Sequence, residues 1–432
     1  MGLSFSFIFR TSEEISVKEG LAIVALGWIS ISFFGAIPFI LTGSIPSLTD
    51  AFFESISGFT TTGASILNDI ESLPKSVLLW RNLIQWLGGM GVIAIAVAVL
   101  PFIGVGGFQL FKAEAPGPTK DKISPRISQT AKLLWGIYLL FTLLEILLIL
   151  VGGLDLFDAL CITFGTMATG GYAPYNESIG AFNSPYLHYI ITVFMFVAAT
   201  NFNLHYLALT GRPSSYIKST EFKFYVSLVG LATSGTLLIR YLEGHKFDEE
   251  LIRHSLFQVI SILTTTGFVT EDYELWPFNA QFILLILMFI GGCSSSTGGA
   301  IKNIRICVML KFLLVSLKKI FRPHGIFPIR VDTKVVDDRV VLSIIAFILL
   351  YMMLFILGVL ILTFQDVNID TAIGAVAATL GNVGPGIGSV GPTENYSHLP
   401  TISKWFLSFL MLAGRLELYA VLVLFVPDFW RD

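Results

Sequence analysis

FTTTGAS at 59–65, TMATGGYA at 166–173, ILTTTGFV at 262–269 and TLGNVGPG at 379–386 are four short Gly/Thr stretches. Each is preceded by a half-length apolar run and followed by a long one. The glycines aligned in them, Gly63, Gly170, Gly267 and Gly384, lie 107, 97 and 117 residues apart (170−63, 267−170, 384−267), so the chain reads as a fourfold duplication. In hydrocarbon an unpaired backbone carbonyl is costly, so irregular chain at membrane depth is tolerated only where it is buried in protein or lines an aqueous path. Glycine permits the positive φ that turns consecutive carbonyls toward one axis. Four such loops would supply rings of oxygens able to replace the hydration shell of a dehydrated cation, with potassium the natural candidate. One T-T-G triplet alone reads as a turn; four in equivalent places read as a pore.

Working outward, 54% of residues are hydrophobic and 13% charged, with a mean hydropathy of +0.78. Long apolar spans are expected near 20–41, 77–102, 131–151, 186–209, 222–242, 278–320 with an interruption, 340–364 and 402–426, enough to cross a bilayer repeatedly. Leu21 to Leu41 is longer than a signal-peptide core and lacks a small-residue cleavage pattern, so it reads as a retained span. Between the two spans of each repeat lie shorter stretches, 48–58, 156–165, 249–262 and 370–380, each starting near Asp50, Asp155 or Asp158, Asp248 to Glu250, and Asp370. Acids favour helix N-termini, and segments this short cannot cross, so these read as re-entrant half-helices. The expected fold is an all-α multi-pass membrane protein of four membrane-pore-membrane repeats in pseudo-fourfold arrangement. The repeats are 20–102, 131–209, 222–320 with an intramembrane loop at 291–299, and 340–426, joined by linkers 103–130, 210–221 and 321–339.

Charge gives the expected orientation. The links 112–132, 212–223 and 302–339 hold five, three and nine Lys or Arg, 17 of the chain's 27, and should be cytoplasmic. The segments with half-helices and loops, 41–76, 152–185, 243–277 and 365–400, hold only Lys75, Lys246 and Arg253 as basic residues against 17 acids, so the loops should face outward. An acidic mouth raises the local concentration of cations within a Debye length. Cys161, Cys293 and Cys307 lack C-x-x-C spacing and read as small buried residues rather than disulfides. The six histidines, among them His188, His205, His254 and His398, show no metal-ligand spacing. Glu145, inside a span, is expected to be protonated or helix-paired.

The second span of the third repeat is interrupted by Gly291, Gly292, Ser294, Ser295, Ser296, Thr297, Gly298 and Gly299. Each glycine costs about 1 kcal/mol against alanine in a helix, so this stretch should leave the helix. It is no phosphate loop, because Lys302 does not follow Gly298 as G-K-[ST] requires. With the span entering near Phe278, Gly291 lies about 20 Å in. Arg415 lies about 21 Å beyond Thr401 in the last span, so the two features should share one level below the loops. An arginine at that depth costs about 2.5–3.5 kcal/mol on insertion scales and should pair inward. Loop carbonyls and the hydroxyls of Ser294 to Thr297 are the acceptors on offer. A gate is the expected role, with Arg415 anchoring the loop and repelling cations until it moves.

Together with these loops, GGCSSSTGGAIKNIR at 291–305, WLGGMG at 86–91, EAPGPTKD at 114–121 and GRLELYAVLVLFVP at 414–427 resemble the Trk/Ktr family of potassium-uptake membrane subunits, most like the bacterial Trk type. The resemblance implies a channel-like fold, a homodimer in the bacterial inner membrane, and a cytoplasmic nucleotide-binding regulatory subunit. It places the filter at Thr61, Thr62 and Gly63; Ala168, Thr169 and Gly170; Thr265, Thr266 and Gly267; and Asn382, Val383 and Gly384, and assigns Arg415 the same anchoring role. Only glycine is common to all four triplets, which implies a less symmetrical filter and imperfect preference for potassium over sodium. Plant relatives that favour sodium carry serine at the position of Gly63. Trk-type members usually have two further helices before the first repeat, where this chain has Met1 to Gly20, and the pore is expected not to need them. No cofactor is expected beyond permeant potassium, no nucleic-acid partner, and no enzymatic activity, since no Ser/His or paired-Asp arrangement stands in facing spans. The competing class is an ion-coupled secondary transporter, whose signature is broken helices in inverted repeats; here all loops fall on one side.

Overall fold

Four copies of one helical unit make up the chain in a computed structural model, which describes residues 17–98 and 123–431. The first contains α1 (Val17–Leu41), the half-helix α2 (Leu48–Phe59) and α3 (Lys75–Ala98). The second contains α4 (Ile123–Val151), α5 (Leu156–Ala168), α6 (Pro185–Ala198) and α7 (Phe202–Leu209), followed by a short α8 (Ser214–Lys218). The third contains α9 (Thr220–Leu242), α10 (Glu249–Leu263), α11 (Phe278–Met288) and α12 (Asn303–Phe321). A small antiparallel hairpin, β1 (Arg330–Val331) and β2 (Lys334–Val335), leads to the fourth: α13 (Asp338–Thr363), α14 (Ile369–Gly381), α15 (Thr401–Arg415) and α16 (Tyr419–Leu422).

The first span of every unit is long and apolar enough to cross a bilayer alone: Lys18–Leu41, Ala131–Val151, Thr220–Leu242 and Asp338–Thr363. The half-helices α2, α5, α10 and α14 have 12, 13, 15 and 13 residues, or about 18–23 Å, short of a hydrocarbon core of about 30 Å. Their starts are set by caps. Asp155 and Asp248 accept the N–H groups of Asp158 (2.8 Å) and Leu251 (3.0 Å). For α2 the cap is Ser47, which accepts from Asp50 at 3.4 Å; Asp50 and Asp370 lie within first turns, where a negative charge still complements the helix dipole.

Two spans differ from expectation. Residues 186–209 and 402–426 are not continuous helices: α6 turns through 99° into α7, and α15 turns through 118° into the segment Tyr419–Phe425. At the first break the carbonyls of Ala199 and Ala198 accept from Cys293 N (2.8 Å) and Thr297 Oγ1 (3.0 Å) instead of continuing a helix, while Asn201 caps the new direction by accepting from Asn203 N. At the second, Glu417 and Leu418 adopt φ of +57° and +56°. Apolar composition alone does not distinguish a straight helix from one bent at such points.

The units form a closed ring. Each half-helix packs against the first span of its own unit and against the second span of the unit before: α5 on α3, α10 on α6, α14 on α11, and α2 on α15. The segments beyond the loops are stitched in the same cycle. Ile70 N donates to Asn176 Oδ1 (2.9 Å), Gly180 N to Val269 O (2.9 Å), Tyr273 OH to Gly386 O (2.6 Å) and Tyr396 N to Ser65 O (2.8 Å). On the link side, Thr220 N donates to Asp332 Oδ1 at 2.6 Å, joining the basic links 212–223 and 302–339. Most of the link 112–132, and the whole motif at 114–121, lie outside the described residues. Around the ring, apolar side chains such as Leu139, Leu140, Leu143 and Leu147 of α4 are exposed, as a lipid-facing surface requires. The three cysteines are free and buried.

Candidate functional site: a ring of four loops and the chain beneath it

Each half-helix ends on a residue forced into the left-handed region: Thr61 (φ +51°), Thr169 (+54°), Thr265 (+58°) and Asn382 (+54°). The following N–H turns back to the helix, from Thr62 to Ser57 O (2.8 Å), Gly170 to Gly165 O (2.8 Å), Thr266 to Ser261 O (2.9 Å) and Val383 to Ala378 O (2.8 Å). A glycine at positive φ comes next: Gly63 (+81°), Gly171 (+75°), Gly267 (+81°) and Gly384 (+103°). The second loop therefore departs from the sequence alignment by one residue. Its equivalent triplet is Thr169, Gly170 and Gly171, and Ala168 is the last residue of α5. The pair Gly170–Gly171 offered two registers, and only the backbone conformation selects between them.

These glycines close a ring that no side chain could enter. A Cβ on Gly63 would lie 2.0 Å from Gly170 O, on Gly171 2.0 Å from Thr266 O, on Gly267 2.0 Å from Val383 O, and on Gly384 2.7 Å from Thr62 O. Every left-handed glycine thus abuts the carbonyl just before the corresponding glycine of the next loop, from the first loop round to the first again. The remaining candidates, Thr61, Thr62, Thr265, Thr266, Asn382 and Val383, stand in this ring with their side chains buried.

Polar groups behind the ring hold it. Gln85 donates to Gly170 O (2.6 Å) and accepts from Tyr172 N (3.0 Å); Tyr396 OH donates to Gly384 O (2.8 Å); Asn382 Nδ2 donates to Thr62 Oγ1 (3.0 Å) and Met411 O (2.8 Å). Arg81 is 2% exposed and donates from Nε to Glu54 (2.6 Å) and from Nη1 to Ala173 O (3.1 Å), with its guanidinium 3.5 Å from the centre of the Tyr172 ring. Glu54 also accepts from Ile66 N (3.0 Å). Sequence reading missed this pair, because residues 27 positions apart share no motif and an acid near a half-helix reads as a mouth charge. Arg81→Met should cost about 3–5 kcal/mol by stranding the buried carboxylate. The check is thermal unfolding in detergent: a large drop in Tm for the single variant, partly restored by adding Glu54→Gln. An unchanged Tm would remove the brace.

Above the ring, Gly63, Gly171, Gly267 and Gly384 form the floor of a cavity that also includes Asn68 and Glu394. At its margin burial pushes the Glu274 carboxyl above its ordinary range. The Gly388 N–H opposes that shift, and repulsion from Asp272, Glu394 and Asp370 adds to it.

Below the ring, residues 291–299 leave the helix and return. Gly291 N donates to Ile301 O (2.9 Å) and Asn303 N to Gly292 O (3.1 Å), closing the stem. The loop touches the second, third and fourth units directly, and Arg415 links it to the first. Cys293 N donates to Ala199 O (2.8 Å), Gly299 N to Thr265 Oγ1 (2.7 Å), and Arg415 donates from Nη1 to Thr297 O (2.6 Å) and from Nη2 to Gly88 O (3.5 Å). Gly298 lies against the carbonyl of Thr264, directly under the third loop. Ser294 N donates to Glu221 Oε1 (2.6 Å), and Ser295 O accepts from Phe202 N (3.1 Å). The structure therefore brings Arg415 and the loop to one level, as their depths in the sequence required. Among the described residues Arg415 donates to carbonyls; the Ser296 and Thr297 hydroxyls donate instead to Cys293 O and Ala198 O. Glu221 and Glu417 around this loop were not singled out by sequence, and Lys302 only in excluding a phosphate loop, though a charge next to an interrupted span is itself a signal. Glu145 is fully buried in α4, and neither carboxyl oxygen meets a donor within hydrogen-bond geometry among the described residues. Among the described residues no three His, Cys, Asp or Glu come together as a metal site would need.

Comparison with known proteins agrees with this architecture. The family model described as TrkH, cation transport protein, matches residues 3–239 and 245–431. Relatives include the Trk system potassium uptake protein TrkH of Escherichia coli K12, 41% identical over 97% of this chain and 87% of that one, and TrkG of the same strain, 33% identical over 98% and 87%. The crystal structure of the potassium transporter TrkH from Vibrio parahaemolyticus superimposes with a TM-score of 0.91 at 36% identity, covering 100% of this chain and 90% of that one. A duplicated helical unit, a ring of left-handed glycines and a match along nearly the whole length lead to one assignment: the chain is a multi-pass membrane protein of the TrkH family of cation transport proteins, a family of transporters and not of enzymes.

Proposed function

We propose that this chain is the pore-forming subunit of a potassium-uptake system, passing potassium through the four loops and stopping it at residues 291–299. The observation that carries this reading is the closed contact of Gly63, Gly171, Gly267 and Gly384 with the carbonyls of the neighbouring loops, which sets backbone oxygens of all four loops in one ring and supports their use as ion ligands. The filter is then Thr61–Gly63, Thr169–Gly171, Thr265–Gly267 and Asn382–Gly384. The gate is the segment Gly291–Gly299 with Arg415, whose guanidinium bridges Thr297 O of the loop and Gly88 O of the first unit. Relatives named for potassium uptake support the choice of ion. The excess of acids on the loop side and of Lys and Arg on the links supports loops facing outward and links facing the cytoplasm of a bacterial inner membrane. A homodimer and a cytoplasmic nucleotide-binding subunit complete the proposal, on the strength of the Trk resemblance.

The test is cation flux into proteoliposomes containing the purified chain, compared for potassium, rubidium, sodium and lithium. Potassium and rubidium are expected to exceed sodium and lithium by roughly tenfold, a difference of about 1.4 kcal/mol in barrier. Equal flux of all four would leave a non-selective pore. Flux only with a second ion gradient present would assign the chain to the ion-coupled transporters.

A further inference from the structure

The loop 291–299 is held by two cations from two different elements, and those elements are tied to each other. Arg415, the last residue of α15, donates to Thr297 O. Lys302, at the start of α12, donates from Nζ to Gly298 O, the very next carbonyl. One turn into α12, Arg305 pairs with Glu417, two residues beyond Arg415. Arg305 is 3% exposed, and its guanidinium lies 4.0 Å from the centre of the Phe347 ring of α13. Glu417 presents its carboxylate from a backbone at φ +57°, a conformation non-glycine residues adopt rarely and only where surroundings impose it. The four groups make a closed circuit: loop, Arg415, Glu417, Arg305, Lys302 and loop again.

We infer that the Arg305–Glu417 ion pair, with Lys302, is the coupling through which displacement of α12 releases the loop. The inference rests on reading residues 291–299 as the gate. Helix α12 runs from Asn303 to Phe321, about 28 Å at 1.5 Å per residue, with Lys318 and Lys319 in its last turn within the basic link 302–339. A force applied at that far end reaches Lys302 and Arg305 through a rigid rod. Moving the near end withdraws Lys302 from Gly298 O. The same motion, through Glu417, pulls on the turn that positions Arg415. Neither clamp can open alone while the ion pair holds, so the loop has two discrete arrangements instead of a graded series. Lys302, Arg305 and Glu417 are positioning residues here: their side chains bind Gly298 O and each other.

The experiment uses the full chain in proteoliposomes, with unstimulated potassium flux and the potassium-to-sodium ratio read together for five variants and the parent. Glu417→Gln and Arg305→Gln are expected to raise unstimulated flux about tenfold, with the ratio unchanged, within the coupling energies of contacting charged pairs. The swap Arg305→Glu with Glu417→Arg should return flux to within about twofold of the parent. Arg305→Lys, which keeps the charge, should stay near the parent and guards against a variant that merely fails to fold. Arg415→Ala separates the two levels of the argument. Increased flux in Arg415→Ala with no change in Glu417→Gln and Arg305→Gln would overturn the relay and leave the gate standing. No change in any of the three would overturn the gate reading itself. A swap as leaky as either single variant would also overturn the relay, because exchanging the charges restores the ion pair and should restore what the pair couples.

Discussion

Gly63→Ser is expected to reduce potassium flux by roughly tenfold or more and to bring the potassium-to-sodium ratio toward one, because catalytic-type placement tolerates only about 0.5 Å of error. Two effects act at this position, and their sizes decide which matters. A left-handed φ of +81° costs a non-glycine residue roughly 1–2 kcal/mol, which a well-packed protein can absorb. The steric term cannot be absorbed, since the new Cβ would lie 2.0 Å from Gly170 O, an oxygen already held by Gln85 at 2.6 Å. Either the first loop or the second must move. The ring then loses the spacing that lets carbonyls replace water around one ion and not another. Gly153→Ser is the control. Gly153 also has a positive φ, +94°, but nothing within 4 Å of where its Cβ would stand, so it should pay backbone strain alone and keep the ratio. Flux ratios for the two variants in proteoliposomes are the measurement. A parent-like ratio for Gly63→Ser would mean that the ring is not the selective element.

Arg415→Ala should have the second largest effect, in the opposite direction: more unstimulated flux with selectivity intact. The guanidinium is 4% exposed and donates to Thr297 O of the loop and Gly88 O of α3. Hydrogen bonds from charged groups contribute about 1.5–3 kcal/mol, so losing them shifts the open–closed balance roughly 10- to 150-fold. Removing the positive charge lowers the electrostatic barrier to a cation in the same place. Arg415→Lys separates these contributions: it retains charge but lacks the fork that reaches two carbonyls, and flux between parent and alanine is expected. The measurement is the initial rate of rubidium uptake at equal protein per vesicle. An alanine variant with parental flux would sink the idea that this arginine holds the path shut.

Much of the candidate site was legible because membrane physics leaves so few uses for its residues. Repeated Gly and Thr after half-length helices has few explanations in hydrocarbon, and an arginine at midplane depth must find a partner. The residues that were missed are those whose role depends on a neighbour distant in sequence. Glu54 reads as one more acid near the mouth until Arg81 is found 2.6 Å away. Lys302 and Arg305 count as linker charges until Gly298 O and Glu417 are seen beside them. The breaks after Ala198 and Arg415 were invisible because hydropathy is a sum along the chain and carries no direction.

Membrane residence, the four repeats, the side on which charge accumulates and the existence of an interruption at 291–299 follow from residue type and order, since burial in lipid penalises every unpaired polar group wherever it lies. The register of the second loop, the bends of two spans and the circuit from Lys302 to Arg415 were decided by tertiary contact alone. Thr169 takes the left-handed turn, Gly170 packs against the Gln85 side chain and Gly171 takes the place beside Thr266 O. Local propensity for Gly170 and Gly171 is the same; only the packing of one unit against the next distinguishes them.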